Sequence, residues 1–496
     1  MNTKLLKQKI LDLAIRGKLT QQLKSDGTAK DLLRQISDER RETKDERKGT
    51  RSKKSGVILS EAQSAKSKDP GQIIPLDKSE APFEIPANWE WVRLGDVAYI
   101  ASGSTPSKDS FVESGVPYLK MYNLRNQQID FEYKPQYIKR EVHEGKLAKS
   151  KAKPGDVIMN IVGPPLGKVA LVPESLPECN FNQAAVLIRA HFCTNLMNQY
   201  IRYFLLQMDE INAINTKGTA GQENISLTQT QNMRFPLPPL AEQQRIIEKI
   251  QEAFAEIDSI ENNKELLKNH IKQARQKILD LAIHGKLVPQ NKSDEPASVL
   301  LERITRDNPH YEKIENEPFE IPENWVWCRL GNLSESIQYG YNAPAKDSGR
   351  IKMVRISDIH ENEVEWDSVP YCDIDDKEIQ TYLLKKNDIL FARTGGTVGK
   401  SFIVSNLPED AVYAGYLIRT RYGKNANAQY MKYFMESNLY WEQLRDGCIA
   451  TAQPNCNGKT LGKMQIPLPP LAEQSRIVAK IKELFYTLDQ MERNLV

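Results

Sequence analysis

The sequence predicts an α+β fold: two pseudo-twofold-related α/β units in a circularly permuted repeat, separated by a pair of long antiparallel, coiled-coil-like helices. Three observations predict it. The first is duplication. PLPPLAEQQRII at 236–247 returns as PLPPLAEQSRIV at 467–478 with ten of twelve residues identical. PFEIPANWEWVRLG at 82–95 returns as PFEIPENWVWCRLG at 318–331, and QKILDLAIRGKLTQQ at 8–22 returns as QKILDLAIHGKLVPQ at 276–290. A duplicated chain builds two copies of one unit and presents two similar surfaces. The second observation is a heptad seam after the first PLPPL. The third is that the other copy of this seam is cut in two, one piece at each end of the chain.

Taken in order, residues 1–40 open with the later part of the cut seam, since Leu6, Ile10 and Leu13 correspond to Ala274, Ile278 and Leu281. The repeats align at an offset of 268 before this point and 236 after it, so the first copy carries 32 extra residues. They fall in 41–81, where the run to Lys54 is nearly all charged and Ser, Lys and Ala follow. So few apolar residues cannot offset ordering entropy, which predicts a disordered insertion.

The first globular unit occupies 82–235. Trp89 and Trp91 alternate as on a strand, Lys153-Pro154-Gly155-Asp156 reads as a turn into the apolar strand VIMNIV, and helix follows at 195–212.

Residues 236–317 hold the central helix and a linker. Ile246, Ile250, Ala253, Ile257, Ile260, Leu267, Ile271, Ala274, Ile278 and Leu281 alternate in steps of four and three, broken at Lys264. This predicts one helix from about Ala241 to Ile283, roughly 60 Å long, packed on a partner helix. Pro238 and Pro239 start it and Gly285 ends it.

The second unit, 318–466, repeats the pattern with Trp325 and Trp327, a turn at Lys386-Asn387-Asp388, the strand ILFART, and helix at 426–445. In 467–496, Ile477, Ile481, Leu484, Leu488, Met491 and Leu495 restart the seam. Laid end to end, the terminal helices complete a second rod, and the helical pair spaces the two units.

Composition fits a soluble chain of about two to four domains: 40% hydrophobic, 27% charged, net charge +3. That charge is too small to identify a nucleic-acid partner by itself. No apolar run reaches the roughly 20 residues of a membrane span, and the N-terminus lacks an export signal. Six scattered cysteines without CxxC spacing suggest reduced thiols in cytoplasm, and neither they nor the six histidines suggest a metal site.

Catalytic motifs fail one by one. TGGTVGKS at 394–401 has Thr394 where a phosphate-binding loop needs glycine, and SFIV after it reads as a strand rather than a helix N-terminus. Glu144-x-Lys146 downstream of Asp130 has no full counterpart around Asp376 and Glu378. None of the three Pro-Pro pairs has the sequence of a base-flipping aminomethyltransferase loop. What remains is recognition of a long, two-part linear target, and double-stranded DNA is the obvious one. Arg, Lys, Asn and Gln on loops are the residues that read base edges and hold phosphates. The candidates are Ser104, Thr105, Lys108, Lys120, Asn123, Arg125, Lys168 and Gln222 in the first unit. In the second they are Asn342, Lys346, Arg350, Lys352, Arg355, Arg393, Lys400 and Gln453. Each competes with the plainer reading of a solvated surface charge. Gln222 and Gln453 lie in matching loops, GTAGQENIS at 218–226 and ATAQPNCN at 450–457, whose plainer reading is a structural turn.

PLPPLAEQ followed by Arg-Ile, twice, each closing a unit that opens with IP-x-NW-x-W-x-x-L-G, resembles the specificity subunit of type I restriction–modification systems. The GSTPS loop at 103–107, the GTAGQENIS loop and the RTGGTVGK loop fit that family too. The resemblance covers nearly the whole chain and implies two target recognition domains, each reading half of a split DNA site across a helical spacer. It also implies that the chain is not itself an enzyme and binds no cofactor. Two methyltransferase subunits would bring S-adenosylmethionine for adenine-N6 methylation, and restriction subunits would bring ATP and Mg2+ chemistry. The 41–81 insertion departs from the family pattern, as does Tyr341-Asn342-Ala343-Pro344 in place of a GxTPS loop, which weakens Thr105 as a general contact. A stand-alone DNA-binding regulator or antirestriction scaffold, and an ATPase or nuclease, are the rival classes.

Overall fold

A computed structural model describes residues 2–49, 72–163, 165–214, 223–306, 313–360, 363–447 and 455–495. It divides into two units, Met1–Asn262 and Asn263–Val496.

The first unit opens with helix α1 (Thr3–Ile15), capped by the Asn2 side chain accepting from Leu5 N at 3.0 Å. Helix α2 (Ala29–Gly49) follows. Four antiparallel strands form the central sheet in the order Ala98–Ser102, Ala185–Ala190, Val157–Asn160, Val169–Leu171. The inner strands are buried almost throughout, so they read as continuous apolar runs rather than alternating ones. Helix α3 (Thr194–Gln207) buries Met197, Tyr200, Ile201 and Phe204 against this sheet. A separate two-stranded ribbon pairs Glu90–Arg93 with Arg234–Leu237, the start of the PLPPL segment. Pro238 and Pro239 lack donors for a ladder, and helix α4 (Leu240–Ile283) begins directly behind them. Residues of α4 up to Asn262 belong to this unit. Lys7 pairs with Asp258 and Thr3 with Glu261, so α1 runs antiparallel to α4.

The second unit repeats the scheme. Its central sheet has the order Ser336–Tyr339, Leu417–Arg421, Ile389–Ala392, Ser401–Ile403. Val326–Arg329 pairs with Gln465–Leu468. Helices α5 (Ala428–Phe434) and α6 (Asn438–Gly447) pack beside the sheet, and α7 (Leu471–Arg493) follows the second PLPPL. Arg275 on α4 contacts Asp489 and Glu492 on α7, at the repeat positions of Lys7, Asp258 and Glu261.

The long helix expected from Ala241 to Ile283 is therefore present, one residue longer at its start. The seam is partly corrected. Ile246, Ile250, Ile257, Ile271, Ile477 and Ile481 are buried, and Ile10, Leu13, Ile278, Leu484 and Leu488 are half-buried. Leu6, Ile260 and Leu267 are exposed, at 38%, 47% and 40%. On α1 the buried face is Leu11, Ala14 and Ile15, mirrored by Leu279, Ala282 and Ile283. These residues join the core of their own globular unit, so the apolar stripe is turned toward sheet and helix rather than along a pure two-helix seam. The expectation of disorder over 41–81 is also corrected at its ends. Helix α2 continues to Gly49, while Ile73 is buried and Leu76 N donates to Trp91 O at 2.7 Å. Residues 50–71 lie outside the described residues.

Candidate nucleic-acid interface

Each unit fixes its loops with the same set of buried polar contacts. Trp89 Nε1 donates to Glu242 at 2.8 Å, and Trp325 Nε1 to Glu473 at 3.1 Å. Both carboxylates are fully buried at the first turn of the helix after PLPPL, where the helix dipole favours negative charge. Gln22 and Gln290 donate to the same two carboxylates, at 2.7 and 2.6 Å. Arg245 grips Asp26 through two contacts of 2.6 and 2.7 Å, and Arg476 grips Asp294 in the same way. On strands of the central sheets, Arg189 meets Asp156 and Arg421 meets Asp388, with both carboxylates buried. Those aspartates close the two turns foreseen in the sequence, accepting from Lys153 N and Lys385 N. The position with positive φ is Gly155 in one turn and Asn387 in the other, two residue types that tolerate it.

On this shared frame two loops meet in each unit. In the first, Gly163 N donates to Glu223 O at 3.0 Å and Ile225 N to Ile161 O at 2.9 Å, joining the glycine loop to the loop before α4. In the second, Cys456 N donates to Arg393 O at 2.9 Å, and Thr394 bridges Asn455. The glycine loops are shaped differently. Asn160 holds the first by donating to Val162 O and Pro165 O and accepting from Lys168 N. The second has Ala392 at that place, and a Cβ at Gly395 or Gly396 would meet nothing within 4 Å. Ser401–Ile403 is a strand, as expected from SFIV.

The sequence candidates separate by whether their charge is already used. Asn123 is corrected to an internal brace: it is buried, donates to Asp130 O and Tyr133 O, and accepts from Lys120 N. Lys352 is also internal, donating to Trp366 O at 2.6 Å and paired with Glu409 at 3.0 Å. Arg355 is spent on a forked contact with the buried Asp358, at 2.7 and 3.1 Å. Arg355 cannot turn to a phosphate without leaving the buried Asp358 carboxylate alone, and Lys352 is held inside by its bond to the Trp366 carbonyl. Lys346 and Arg350 are exposed but pair with Asp373 and Asp376. Arg125 lies 4.2 Å from the Tyr133 ring centre and 3.9 Å from Asp130.

Five cations remain without an acidic partner among the described residues. They are Lys108, Lys120 and Lys168 in the first unit, and Arg393 and Lys400 in the second. Lys120 leans over the Phe111 ring at 5.7 Å. Ser104 and Thr105 are exposed, with Thr105 Oγ1 donating to Gln183, and Asn342 is exposed. Gln222 and Gln453 lie outside the described residues. Two residues that the sequence reading passed over stand beside Arg393. Tyr339 is 40% exposed and Tyr416 is 66% exposed. The strand registers put both opposite small residues, Ser102 and Ala184.

This arrangement can bind an anionic polymer and read polar edges. It offers little for covalent chemistry: burial pushes the Cys179 thiol up to about 12 and that of Cys328 further. Among the described residues no cluster of three or more His, Cys, Asp or Glu is placed to hold a metal ion.

The family model for the type I restriction modification DNA specificity domain matches residues 86–269 and again 322–495, one match per unit and together more than half of the chain. The chain belongs to this family. Among curated relatives, it is 24% identical to the Escherichia coli EcoAI specificity subunit, covering 99% of this chain and 90% of the relative. It is also 24% identical to the Escherichia coli K12 EcoKI specificity subunit, covering 83% and 85%. The fold is shared with the HsdS subunit of Thermoanaerobacter tengcongensis, at TM-score 0.50 and 20% identity over 84% of this chain and 96% of that one. A chain of a solved type I R-M system aligns at TM-score 0.56 and 20% identity, over 84% and 94%. Specificity-family membership thus places the duplicated frame and its paired loops in a restriction–modification system. No helix among the described residues is long and apolar enough to cross a membrane.

Proposed function

We propose that this specificity-family chain is the non-catalytic DNA-reading subunit of its complex, with each unit reading one half of a bipartite, asymmetric site. The observation that carries the reading is the contrast between frame and loops. The two units keep the same buried pins, yet present different side chains at equivalent loop positions. A reader of two unlike half-sites needs that combination, because phosphate contacts set register while base-edge contacts carry sequence. Lys108, Lys120, Lys168 and Lys400, free of carboxylate partners among the described residues, would supply the phosphate contacts. Arg393 and the polar loop residues would face the groove.

The methyl transfer and cleavage fall to partners. Two methyltransferase subunits would bring S-adenosylmethionine to adenine N6, and restriction subunits would add ATP- and Mg2+-dependent translocation and cutting, in the cytoplasm where the DNA lies. Affinity purification from the native host, followed by sequencing of methylated adenines in its genome, tests this. The expected outcome is co-recovery of an adenine methyltransferase subunit and a split, asymmetric adenine motif that disappears when this chain is deleted. Persistence of every adenine motif in the deletion strain would sink the reading.

A further inference from the structure

Register fixes three equivalences between the units. Ser102 pairs with Val186 as Tyr339 pairs with Ile418. Ile161 N donates to Ala184 O as Arg393 N donates to Tyr416 O, at 2.8 and 3.1 Å. Ser102, Ile161 and Ala184 of the first unit therefore stand where the second has Tyr339, Arg393 and Tyr416. Where the first unit has a serine, an isoleucine and an alanine, the second has an arginine with one tyrosine against its guanidinium and another accepting its backbone N–H.

The cluster is built to hold the guanidinium. Its carbon lies 4.7 Å from the Tyr339 ring centre, within cation–π range. Tyr339 is itself pinned, since its hydroxyl accepts from Gly458 N at 2.8 Å. The backbone of Arg393 is clamped on both sides, by Tyr416 O and by Cys456 N. Its Nε is buried without a partner, and Nη1 reaches only Gly415 O at 3.4 Å. Among the described residues Nη2 has no protein partner and no carboxylate neutralises the charge. The open glycine pair Gly395–Gly396 follows immediately, and Tyr416, whose carbonyl accepts from Arg393 N, is two-thirds exposed. An arginine stacked, clamped and left with unspent donors has already lost the rotamer freedom that binding would otherwise cost.

We infer that Arg393, held by Tyr339 and flanked by Tyr416, is the specificity-determining residue of the second unit and reads a guanine in the major groove. Guanine O6 and N7 form the acceptor pair that a guanidinium fork matches. The first unit has Ile161 there, so the contact belongs to one half-site only. This inference rests on the DNA-reading function proposed above.

The test uses the assembled methyltransferase complex, with methylation measured on duplexes carrying each base in turn at every position of the motif. For the wild type, one half-site contains a guanine whose replacement by 7-deazaguanine, which lacks N7, lowers the methylation rate about 10- to 100-fold. Arg393→Ala removes the discrimination at that position and leaves the other half-site as selective as before. Arg393→Lys keeps part of it, and Tyr339→Leu, which removes the aromatic face and the hydroxyl that pins it, weakens it. If the wild type is indifferent to 7-deazaguanine at every guanine of the motif, the inference is overturned without any variant having to fold. It is equally overturned if Arg393→Ala keeps the wild-type motif, or loses selectivity equally in both half-sites. A wild-type complex with no split motif at all fails the earlier reading instead, so the two failures are distinguishable.

Discussion

Asp26 shows how much of this chain hangs on single buried carboxylates. Hydrogen bonds from the Arg245 guanidinium hold its carboxyl below the usual carboxylate range. A depressed acid contributes stability that is full above its unfolded value of about 4 and is lost as pH falls through the lower folded value. Asp26→Asn should therefore cost about 1–2 kcal/mol at pH 7, since the arginine is partly solvated. That deficit should shrink as pH drops below about 4, which urea unfolding at a series of pH values would reveal. A second residue-scale prediction concerns Gly285, which sits at φ +66. A Cβ there would lie 2.4 Å from Pro322 Cγ and 3.3 Å from the Trp325 ring. Gly285→Ala should lose about 2 kcal/mol or more, through left-handed strain and the clash together. Gly17 against Pro86 repeats the geometry, so Gly17→Ala should behave alike. Equal stability of either alanine variant in thermal melts would show that the turn relaxes.

At the scale of elements, the long helix and the strands after the two turns were legible in the sequence, because each is set by local periodicity or turn chemistry. Two things were not. A heptad spacing reports that one face is apolar but not what covers it. Leu11, Ala14 and Ile15 went to the globular core, and Leu6, Ile260 and Leu267 were left exposed. Nor does a loop lysine or asparagine reveal whether its partner is already inside the chain. Asn123, Lys352 and Arg355 read like surface contacts and are braces, because their partners Asp130, Trp366 and Asp358 lie three to fourteen residues on and meet them only through turns. The exposed apolar residues of α4 carry a prediction. Leu266 is 53% exposed and Leu267 40%, so glutamate at both should change the unfolding free energy by less than about 1 kcal/mol. We propose that this exposed apolar surface docks a methyltransferase subunit of the complex, so the double variant should lower co-purification of that subunit while circular dichroism stays unchanged. Undiminished capture would place the docking surface elsewhere.

For the whole molecule, the repeat has a consequence that neither unit carries alone. The two half-sites are joined by DNA of fixed rise, and the two readers are joined by one uninterrupted helix of 44 residues. On the proposed reading the length of that helix selects the number of unread base pairs between half-sites. Removing the seven residues Ile260–Leu266 takes out about 10 Å of helix, which corresponds to about three base pairs at 3.4 Å each. A whole heptad keeps the buried residues on either side nearly in phase, since the drift is only about 20°. The side chains that read bases are untouched. The methylated motif of the deletion variant should therefore keep both half-sites and shorten the gap, while a four-residue deletion, which turns the following helix by about 40°, should reduce methylation at any spacing. An unchanged gap in a fully active heptad variant would show that the spacing is fixed by something other than this helix.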